Sequence, residues 1–166
     1  MPIDSAHKSW WQTFEVVVGL PFLVSVSLQL LVPIILPAQF RKPVLILIGA
    51  ALIIVGLVFI ILARREMAKF GQHTDPGHPT GLVISTGIFS ISRNPLYLGG
   101  ICLLLGIALV ANLTWFFILF LPTLIACHYV LIAPEEKYLS VKFGEGYARY
   151  AARVNRWIGY KRNPSR

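Results

Sequence analysis

The chain has 166 residues, of which 56% are hydrophobic and 13% are charged. Soluble domains carry about 25% charged residues and disordered chains contain fewer large apolar residues, so both classes fit poorly. The 15 Lys and Arg against 7 Asp and Glu give a net charge of +8. In a chain this apolar, such an excess indicates basic loops beside a membrane rather than a nucleic-acid surface.

Four apolar stretches dominate the chain. A bilayer core about 30 Å thick is crossed by around 20 apolar residues in a helix. The sequence therefore predicts an all-α polytopic membrane protein, a single domain with four transmembrane helices. The spans fall near residues 14–36, 43–63, 95–111 and 113–133. The first contains Pro21 and Pro33 and is expected to be kinked rather than broken.

Small residues predict how two of these spans pack. Gly49 and Gly56 are seven residues apart in the second span, so they should share a face that another helix can approach closely. The link at 111–114 between the third and fourth spans is short, which predicts an antiparallel hairpin with Asn112 in the turn.

The basic residues predict the orientation. With four spans, the N-terminus, the 64–94 loop and the tail lie on one side of the membrane, which holds 13 Lys and Arg against 2 on the other. By the positive-inside rule, both termini face the cytoplasm. We expect the protein in the cell membrane of a bacterium or archaeon.

Two polar segments, 64–94 and 134–158, lie on that side. The first is too long to serve only as a connection. Near its end, Asn94-Pro95 should stop any preceding structure and start the third span, because proline suits a first helical turn. This places Arg93 and Asn94 at the mouth of the bundle.

The second segment opens with Pro134-Glu135-Glu136, which predicts the first turn of a new helix, where the helix dipole favours acids. Successive helical residues point about 100° apart. Glu135 and Glu136 therefore cannot face the same spot, and one could bind a ligand while the other caps or pairs.

After a break flanked by glycines at 143–146, an amphipathic helix is predicted. One face carries Tyr147, Tyr150 and Val154, and the opposite face carries Arg149, Arg153 and Arg156. Such a helix could lie on the membrane surface with its arginines on anionic lipid. Alternatively, one arginine could bind a carboxylate of a substrate or cofactor.

Two motifs in this half of the chain resemble those of the isoprenylcysteine carboxyl methyltransferase and phospholipid methyltransferase superfamily. The first runs from Leu82-Val83 through Gly87 and Phe89 to Arg93-Asn94-Pro95-x-Tyr97-x-Gly99. The second runs from Glu135-Glu136 through Phe143-Gly144, Tyr147 and Tyr150 to Arg156-Trp157. The resemblance covers about half of the chain, and a hydrophobic hairpin of the expected length joins the motifs.

The resemblance implies an S-adenosylmethionine-dependent methyltransferase, with S-adenosylhomocysteine as its product. The acceptor would be a lipophilic small molecule or a prenylated substrate that enters from the bilayer among the membrane lipids. The cofactor would lie at the cytoplasmic end of the helices. The implied cofactor-binding residues are Arg93, Asn94, Pro95, Tyr97, Gly99, Glu135, Glu136, Tyr147 and Tyr150.

The residues predicted to act on the reacting groups are Glu136, Arg153 and Arg156, with Glu135 as the second choice for the acid. Glu136 comes first, and Glu135 second, for stabilising the cationic cofactor, since a carboxylate favours a nearby sulfonium or ammonium in a low-dielectric pocket. Arg153 or Arg156 would orient an anionic acceptor. No role for a metal is expected, so His73, Asp75 and His78 are interpreted as loop residues or as part of the cofactor cover.

The chain departs from the family pattern at two positions. Asn94 stands where the family has histidine, and Phe89 where it has tyrosine. Asparagine can donate and accept hydrogen bonds but cannot shuttle a proton, which argues against a histidine-base mechanism here.

Two alternatives stay open at this point. A sterol-type membrane reductase with a nicotinamide cofactor has a similar arginine-histidine-proline motif, but the short chain and the acid pair disfavour it. A small four-helix transporter matches the size, but it would need an acid deep in a span, and the candidate, Glu15, lies at the edge of the first one. The sequence identifies neither the acceptor atom nor the oligomeric state.

Overall fold

The computed structural model describes residues 9, 11–34, 43–72 and 80–161. Within these ranges the chain forms helices and no β-strand, so the predicted all-α class is confirmed. The five main helices are α1 (Glu15–Leu31), α2 (Pro43–Lys69), α3 (Pro95–Val110), α4 (Thr114–Phe143) and α5 (Glu145–Arg153). A short 3₁₀ helix, Gly87–Ser90, precedes α3.

Two of these helices, α2 and α4, are long and apolar enough to cross a membrane. Helices α1 and α3 are apolar but shorter. At about 1.5 Å per residue they measure roughly 25 Å, below the ~30 Å hydrocarbon core. Helix α1 ends at Leu31, because Val32 leaves the helical conformation, so the expectation that the first span continues through Pro33 is wrong. Residues 35 and 36 of the predicted span lie outside the described ranges. Two membrane-crossing helices are therefore supported by length, and the four-span topology stays a prediction.

Glycines bring α2 and α3 into direct contact. A Cβ added to Gly56 would lie 2.6 Å from the carbonyl oxygen of Gly99, and one added to Gly106 would lie 2.6 Å from the carbonyl oxygen of Gly49. We call these four residues the glycine contact. The predicted shared face of Gly49 and Gly56 is thus confirmed, and its partner is α3.

Each of two prolines follows a π-helical turn. Pro21 comes after the π turn Glu15–Gly19 of α1, and Pro134 comes after the π turn Cys127–Ile132 of α4. A proline ring clashes with the carbonyl four residues earlier in a regular α-helix, and in both cases that carbonyl lies in the π turn. The wider turn lets each helix continue through its proline.

One prediction about α4 therefore needs correction. Pro134 does lie in the first turn of an α-helical segment, Ala133–Phe143, but that segment continues from the π turn without a break. The first amides are not a free helix end, and no side chain caps them. The helix-dipole role expected for Glu135 and Glu136 does not apply.

Helix α5 packs its tyrosine face against the protein. Tyr147, Tyr150 and Val154 are buried together, with Val83 and Leu139 packed against them. The predicted shared face is confirmed, but it is covered by protein and is not available to insert into a lipid surface. The glycine-flanked break is confirmed as well, since α4 ends before Gly144, which has a φ of +51°.

The position of Arg156 differs from the prediction. Helix α5 ends at Arg153, and Val154 is extended with φ −112° and ψ 134°. The helical periodicity that put Arg156 beside Arg149 and Arg153 therefore stops three residues before Arg156. Arg156 instead turns back toward α4.

Candidate functional site

Glu136 lies between two arginines. Arg156 donates from Nε to Glu136 Oε1 at 3.0 Å and from Nη2 to Oε2 at 2.6 Å, while Arg93 Nη2 is 3.1 Å from Oε1. Bidentate guanidinium–carboxylate pairs are among the stronger hydrogen-bonded contacts in proteins. The hydrogen bonds that Arg156 donates to the Glu136 carboxylate hold the pKa of Arg156 above its usual range. We call these three residues the arginine–glutamate cluster.

Backbone bonds fix the chain that carries Arg156. The side-chain amide of Asn94 donates to the Arg156 carbonyl at 3.1 Å, and the Arg93 amide donates to the Asn155 carbonyl at 3.2 Å. The Gly159 amide donates to the Ile91 carbonyl at 2.8 Å. The start of α3 and the tail after α5 therefore form one unit, and Asn94 acts in it as a buried backbone partner.

Tyrosine hydroxyls connect the same region. Tyr97 donates to Glu135 Oε2 at 2.9 Å, Tyr150 donates to the Phe89 carbonyl at 2.7 Å, and Arg93 Nη1 donates to Tyr147 Oη at 3.2 Å. Burial raises the pKa of Tyr147 to about 12 and raises that of Tyr150 as well. Both phenols therefore remain protonated at neutral pH and can donate hydrogen bonds.

A pocket of about 630 Å³, which includes its open mouth, lies beside the cluster. Its polar lining includes Arg93, Glu135, Tyr147 and Tyr150, and its apolar lining includes Leu82, Val83 and Leu139. Within the described part of the chain, the buried Nε of Arg93 has no hydrogen-bond partner. The pocket thus combines a carboxylate, a guanidinium group and apolar walls, a composition common in small-molecule sites of about 300–1,000 Å³.

The structure brings part of the predicted site together. Four of the predicted cofactor residues line the pocket: Arg93, Glu135, Tyr147 and Tyr150. Tyr97 bonds to one of them, while Asn94 and Glu136 lie behind the pocket in the contacts described above. Gly99 faces α2 in the glycine contact, and Pro95 is buried in the first turn of α3. Arg153 is exposed, and its side chain has no contact with the cluster in the described structure. Their roles in binding or catalysis stay predictions.

Several lining residues were missed by sequence reasoning. Met67 and Gln72, at the end of α2, and Ile84 line the pocket together with Phe89. Residues at 64–72 were assigned to a loop, whereas α2 continues to Lys69. No sequence signal marked these residues, because the burial of Glu66 beside them is seen only in the structure.

A second, mostly apolar groove of about 910 Å³, which includes its open side, runs between α3 and α4. It is lined by Leu98, Ile101, Leu124, Ile125, His128, Tyr129 and Trp157. His128 was expected to face the bundle interior, and the structure places it along this groove. The cluster is connected to both cavities, because its Arg93 lines the pocket and its Arg156 is followed directly by Trp157 of the groove lining.

No group of three or more His, Cys, Asp or Glu side chains that could hold a metal occurs among the described residues. The loop residues His73, Asp75 and His78 lie outside them.

The chain matches the family model for phospholipid methyltransferases over residues 44–146. No curated protein matches the chain, and no solved structure does. The family match gives no support to the reductase or transporter alternatives. It extends from α2 to the start of α5 and includes Arg93, Glu135 and Glu136. Because it covers more than half of the 166 residues, the chain belongs to the phospholipid methyltransferase family, whose members are membrane methyltransferases.

Proposed function

We propose that the chain is a membrane methyltransferase that uses S-adenosylmethionine to methylate a lipophilic acceptor. The observation that carries the proposal is the pocket formed by the segment before α3 together with α4 and α5. Its lining places the Glu135 carboxylate and the Arg93 guanidinium beside apolar walls. When bound, S-adenosylmethionine supplies a methyl group on a sulfonium sulfur.

The pocket residues fit this cofactor by charge. Glu135 is suited to the sulfonium or the ammonium group, because a carboxylate stabilises a cation strongly where water is largely excluded. Arg93 is suited to the carboxylate, since Nε is a donor without a partner in the described structure. Leu82, Val83 and Leu139 offer apolar surface for the adenosine part.

This arrangement changes the order expected for the two acids. Glu136 was the first candidate for contact with the cofactor, but both of its oxygens are engaged by arginines. Glu135 lines the pocket directly. We therefore assign the cofactor contact to Glu135, and we assign to Glu136 the task of holding Arg93 and Arg156 in place.

The groove between α3 and α4 fits the apolar chain of an acceptor. Its exposed edge carries Ile125 and Tyr129, and its inner end carries Trp157. An acceptor lying there would bring its polar end to Arg156, whose side chain keeps 36% exposure. Arg156 would orient an anionic acceptor or a headgroup phosphate, and alignment of the reacting atoms is the main contribution an enzyme makes to a one-step displacement.

The four-span topology, with both termini in the cytoplasm, is part of this proposal. It would place the pocket on the side where S-adenosylmethionine is made, with the groove open to the bilayer. A cysteine introduced at Lys161, which is exposed, should react with a membrane-impermeant thiol reagent only after the membrane is opened. Labelling in intact cells would contradict this orientation.

Cofactor binding is the decisive experiment. Titration of the detergent-purified chain with S-adenosylmethionine, which carries both the sulfonium and the ammonium, should show saturable binding that Glu135→Gln weakens about tenfold or more, since a charged partner is lost. Glu145→Gln is the matched control, because that acid is 93% exposed and lies outside the pocket. No binding by the native chain, or equal binding by the Glu135 variant, would refute the assignment.

The acceptor class can be read from the same preparation. Radiolabelled methyl transfer should be compared between phospholipid vesicles and a prenylated cysteine in detergent. The family description favours the phospholipid, and the resemblance noted in the sequence leaves room for the prenylated acceptor. Transfer only to water-soluble acceptors would contradict the role given to the groove.

A further inference from the structure

A buried acid at the end of α2 contacts the segment that forms one wall of the pocket. The Glu66 side chain is 9% exposed. Its Oε1 accepts a hydrogen bond from the Thr86 hydroxyl at 2.6 Å, and its Oε2 accepts one from Lys69 Nζ at 2.7 Å. Gly87, the neighbour of Thr86, also lies against Glu66, since a Cβ added to Gly87 would lie 2.7 Å from the Glu66 carboxyl carbon.

This contact joins parts of the chain that are 20 residues apart. Gly87 has a φ of +56°, a conformation that glycine adopts at little cost. The absence of a side chain there lets the backbone turn directly over the Glu66 carboxylate. The Thr86 hydroxyl and the Gly87 backbone therefore match the Glu66 carboxylate in hydrogen bonding and in shape.

The wall of the pocket is attached to α2 at two points. Glu66 holds Thr86, and the side chain of Gln72 accepts a hydrogen bond from the Gly81 amide at 3.1 Å. Between these two points lie Leu82, Val83 and Ile84, which all line the pocket. A segment without regular secondary structure has few internal bonds to fix it, so its position depends on these attachments.

We infer that Glu66 is a positioning residue for the cofactor pocket. It acts by holding the segment 80–90 against the end of α2, and it does not touch the cofactor itself. The inference rests on the proposed function, because it assumes that the pocket takes S-adenosylmethionine. It adds that cofactor affinity is set in part by an acid outside the pocket lining.

The partners of Glu66 belong to different parts of the fold, and this supplies a matched control: Thr86 lies in the segment 80–90, whereas Lys69 lies on α2 beside Glu66. The Lys69 side chain is 67% exposed, so its ion pair with Glu66 is screened by solvent. Thr86 is attached directly to the wall. Loss of the Thr86 hydroxyl should therefore disturb the pocket, whereas loss of the Lys69 ammonium should not.

The test compares four variants of the full chain in detergent. Glu66→Ala should raise the dissociation constant for S-adenosylhomocysteine about tenfold or more, and Thr86→Val should raise it in the same direction by a smaller factor. Glu66→Gln should recover part of the affinity, because the amide oxygen still accepts from Thr86. Lys69→Ala should bind like the native chain.

A kinetic readout separates positioning from general damage to the fold. The KM for S-adenosylmethionine should rise in Glu66→Ala, while kcat at saturating cofactor should stay within a few-fold of the native value. Thr86→Val changes one hydroxyl at an exposed position, so it keeps the test valid even if Glu66→Ala fails to fold. The inference would be overturned if Thr86→Val and Glu66→Gln both kept native-like affinity. It would also be overturned if Lys69→Ala and Thr86→Val had equal effects.

Hydrogen exchange tests the same contact without any ligand. Amides of residues 82–85 should exchange faster in Glu66→Ala and in Thr86→Val than in the native chain, while α3 keeps its protection. Unchanged exchange in this segment would overturn the inference. Failure of the native chain to bind S-adenosylhomocysteine would refute the proposed function instead, so the two failures are distinguishable.

Discussion

The middle of α3 and its N-terminal end are held by opposite means. In the middle, Gly99 and Gly106 bring the backbone of α3 against α2, with no polar side chain between the helices. At the end, Arg93 and Asn94 bind side-chain and backbone groups from α4 and the tail. One contact depends on the absence of side chains, and the other depends on long charged ones.

This difference separates packing from chemistry. Apolar helices in a bilayer gain little from the hydrophobic effect when they associate, so close approach of small residues supplies much of the attraction. The glycine contact fits that role and lies away from the pocket lining. The arginine–glutamate cluster adds little bulk, but it fixes the charged groups that face the pocket and the groove.

Filling the glycine contact should have the largest effect on folding. A Cβ at Gly56 would meet the Gly99 carbonyl at 2.6 Å and the Leu103 amide nitrogen at 2.7 Å, and neither backbone atom can move without displacing α3. We expect Gly56→Leu to abolish the folded monomer and Gly56→Ala to cost about 1–3 kcal/mol. Size-exclusion chromatography and thermal unfolding in detergent measure both.

The control for that prediction is Gly19→Ala. No atom lies within 4 Å of a Cβ placed at Gly19, so this change should leave stability equal or slightly raised. If Gly56→Ala proved as stable as Gly19→Ala, the packing role assigned to the glycine contact would be wrong.

Breaking the cluster should have the next largest effect. Glu136→Ala would leave the 9%-exposed Arg93 without its carboxylate and would place two guanidinium groups near each other. We expect a loss of about 2–3 kcal/mol in the free energy of unfolding, together with weaker binding of S-adenosylhomocysteine. Thermal unfolding and titration calorimetry on one preparation would show both changes.

Removing the charge of Glu136 while keeping the shape of its side chain sharpens this prediction. Glu136→Gln keeps the volume and one acceptor oxygen, so its stability should lie between those of the native chain and Glu136→Ala. Native-like stability in Glu136→Ala would show that the two arginines need no common partner.

Changes at Asn94 should have a smaller effect. Asn94→Leu removes the donor to the Arg156 carbonyl, which should cost about 1 kcal/mol. Asn94→His places a ring N–H near the position of the amide nitrogen and should retain most of the stability and most of the cofactor affinity. If Asn94→His were more active than the native chain and its pH–activity profile showed an additional pKa, a side chain at this position would be able to transfer protons.

The smallest effect is expected at the surface of α5. Arg149 pairs with Glu145, but the two side chains are 73% and 93% exposed. Arg149→Ala should therefore change stability by less than about 0.5 kcal/mol and leave S-adenosylhomocysteine binding unchanged. A clear loss of binding would mean that α5 contributes to the site through its arginine face as well as its tyrosine face.

The sequence predicted those features that depend on neighbours a few residues away. The apolar stretches predicted helices, Asn94-Pro95 predicted the start of α3, and the spacing of Gly49 and Gly56 predicted a close helix contact. The shared face of Tyr147 and Tyr150 was predicted by the same helical periodicity. These patterns are local, because helix geometry alone sets which residues share a face.

The tertiary structure decided the partners. Helix α5 ends at Arg153, so the path of the extended chain, rather than helical periodicity, brings Arg156 to Glu136. The continuation of α4 through a π turn removed the expected helix end. It also left Glu135 at the pocket and Glu136 in the cluster.

The wall of the pocket was equally hidden from the sequence. Glu66 and Thr86 are far apart along the chain, and neither stands out by composition or spacing. Local propensity cannot show which distant segment covers a buried carboxylate. The chemical types needed at the site, which are acids, arginines and tyrosines in the polar segments of the chain, were therefore determined by the sequence. Which of them meet was decided by how α2, α4 and the tail close around the start of α3.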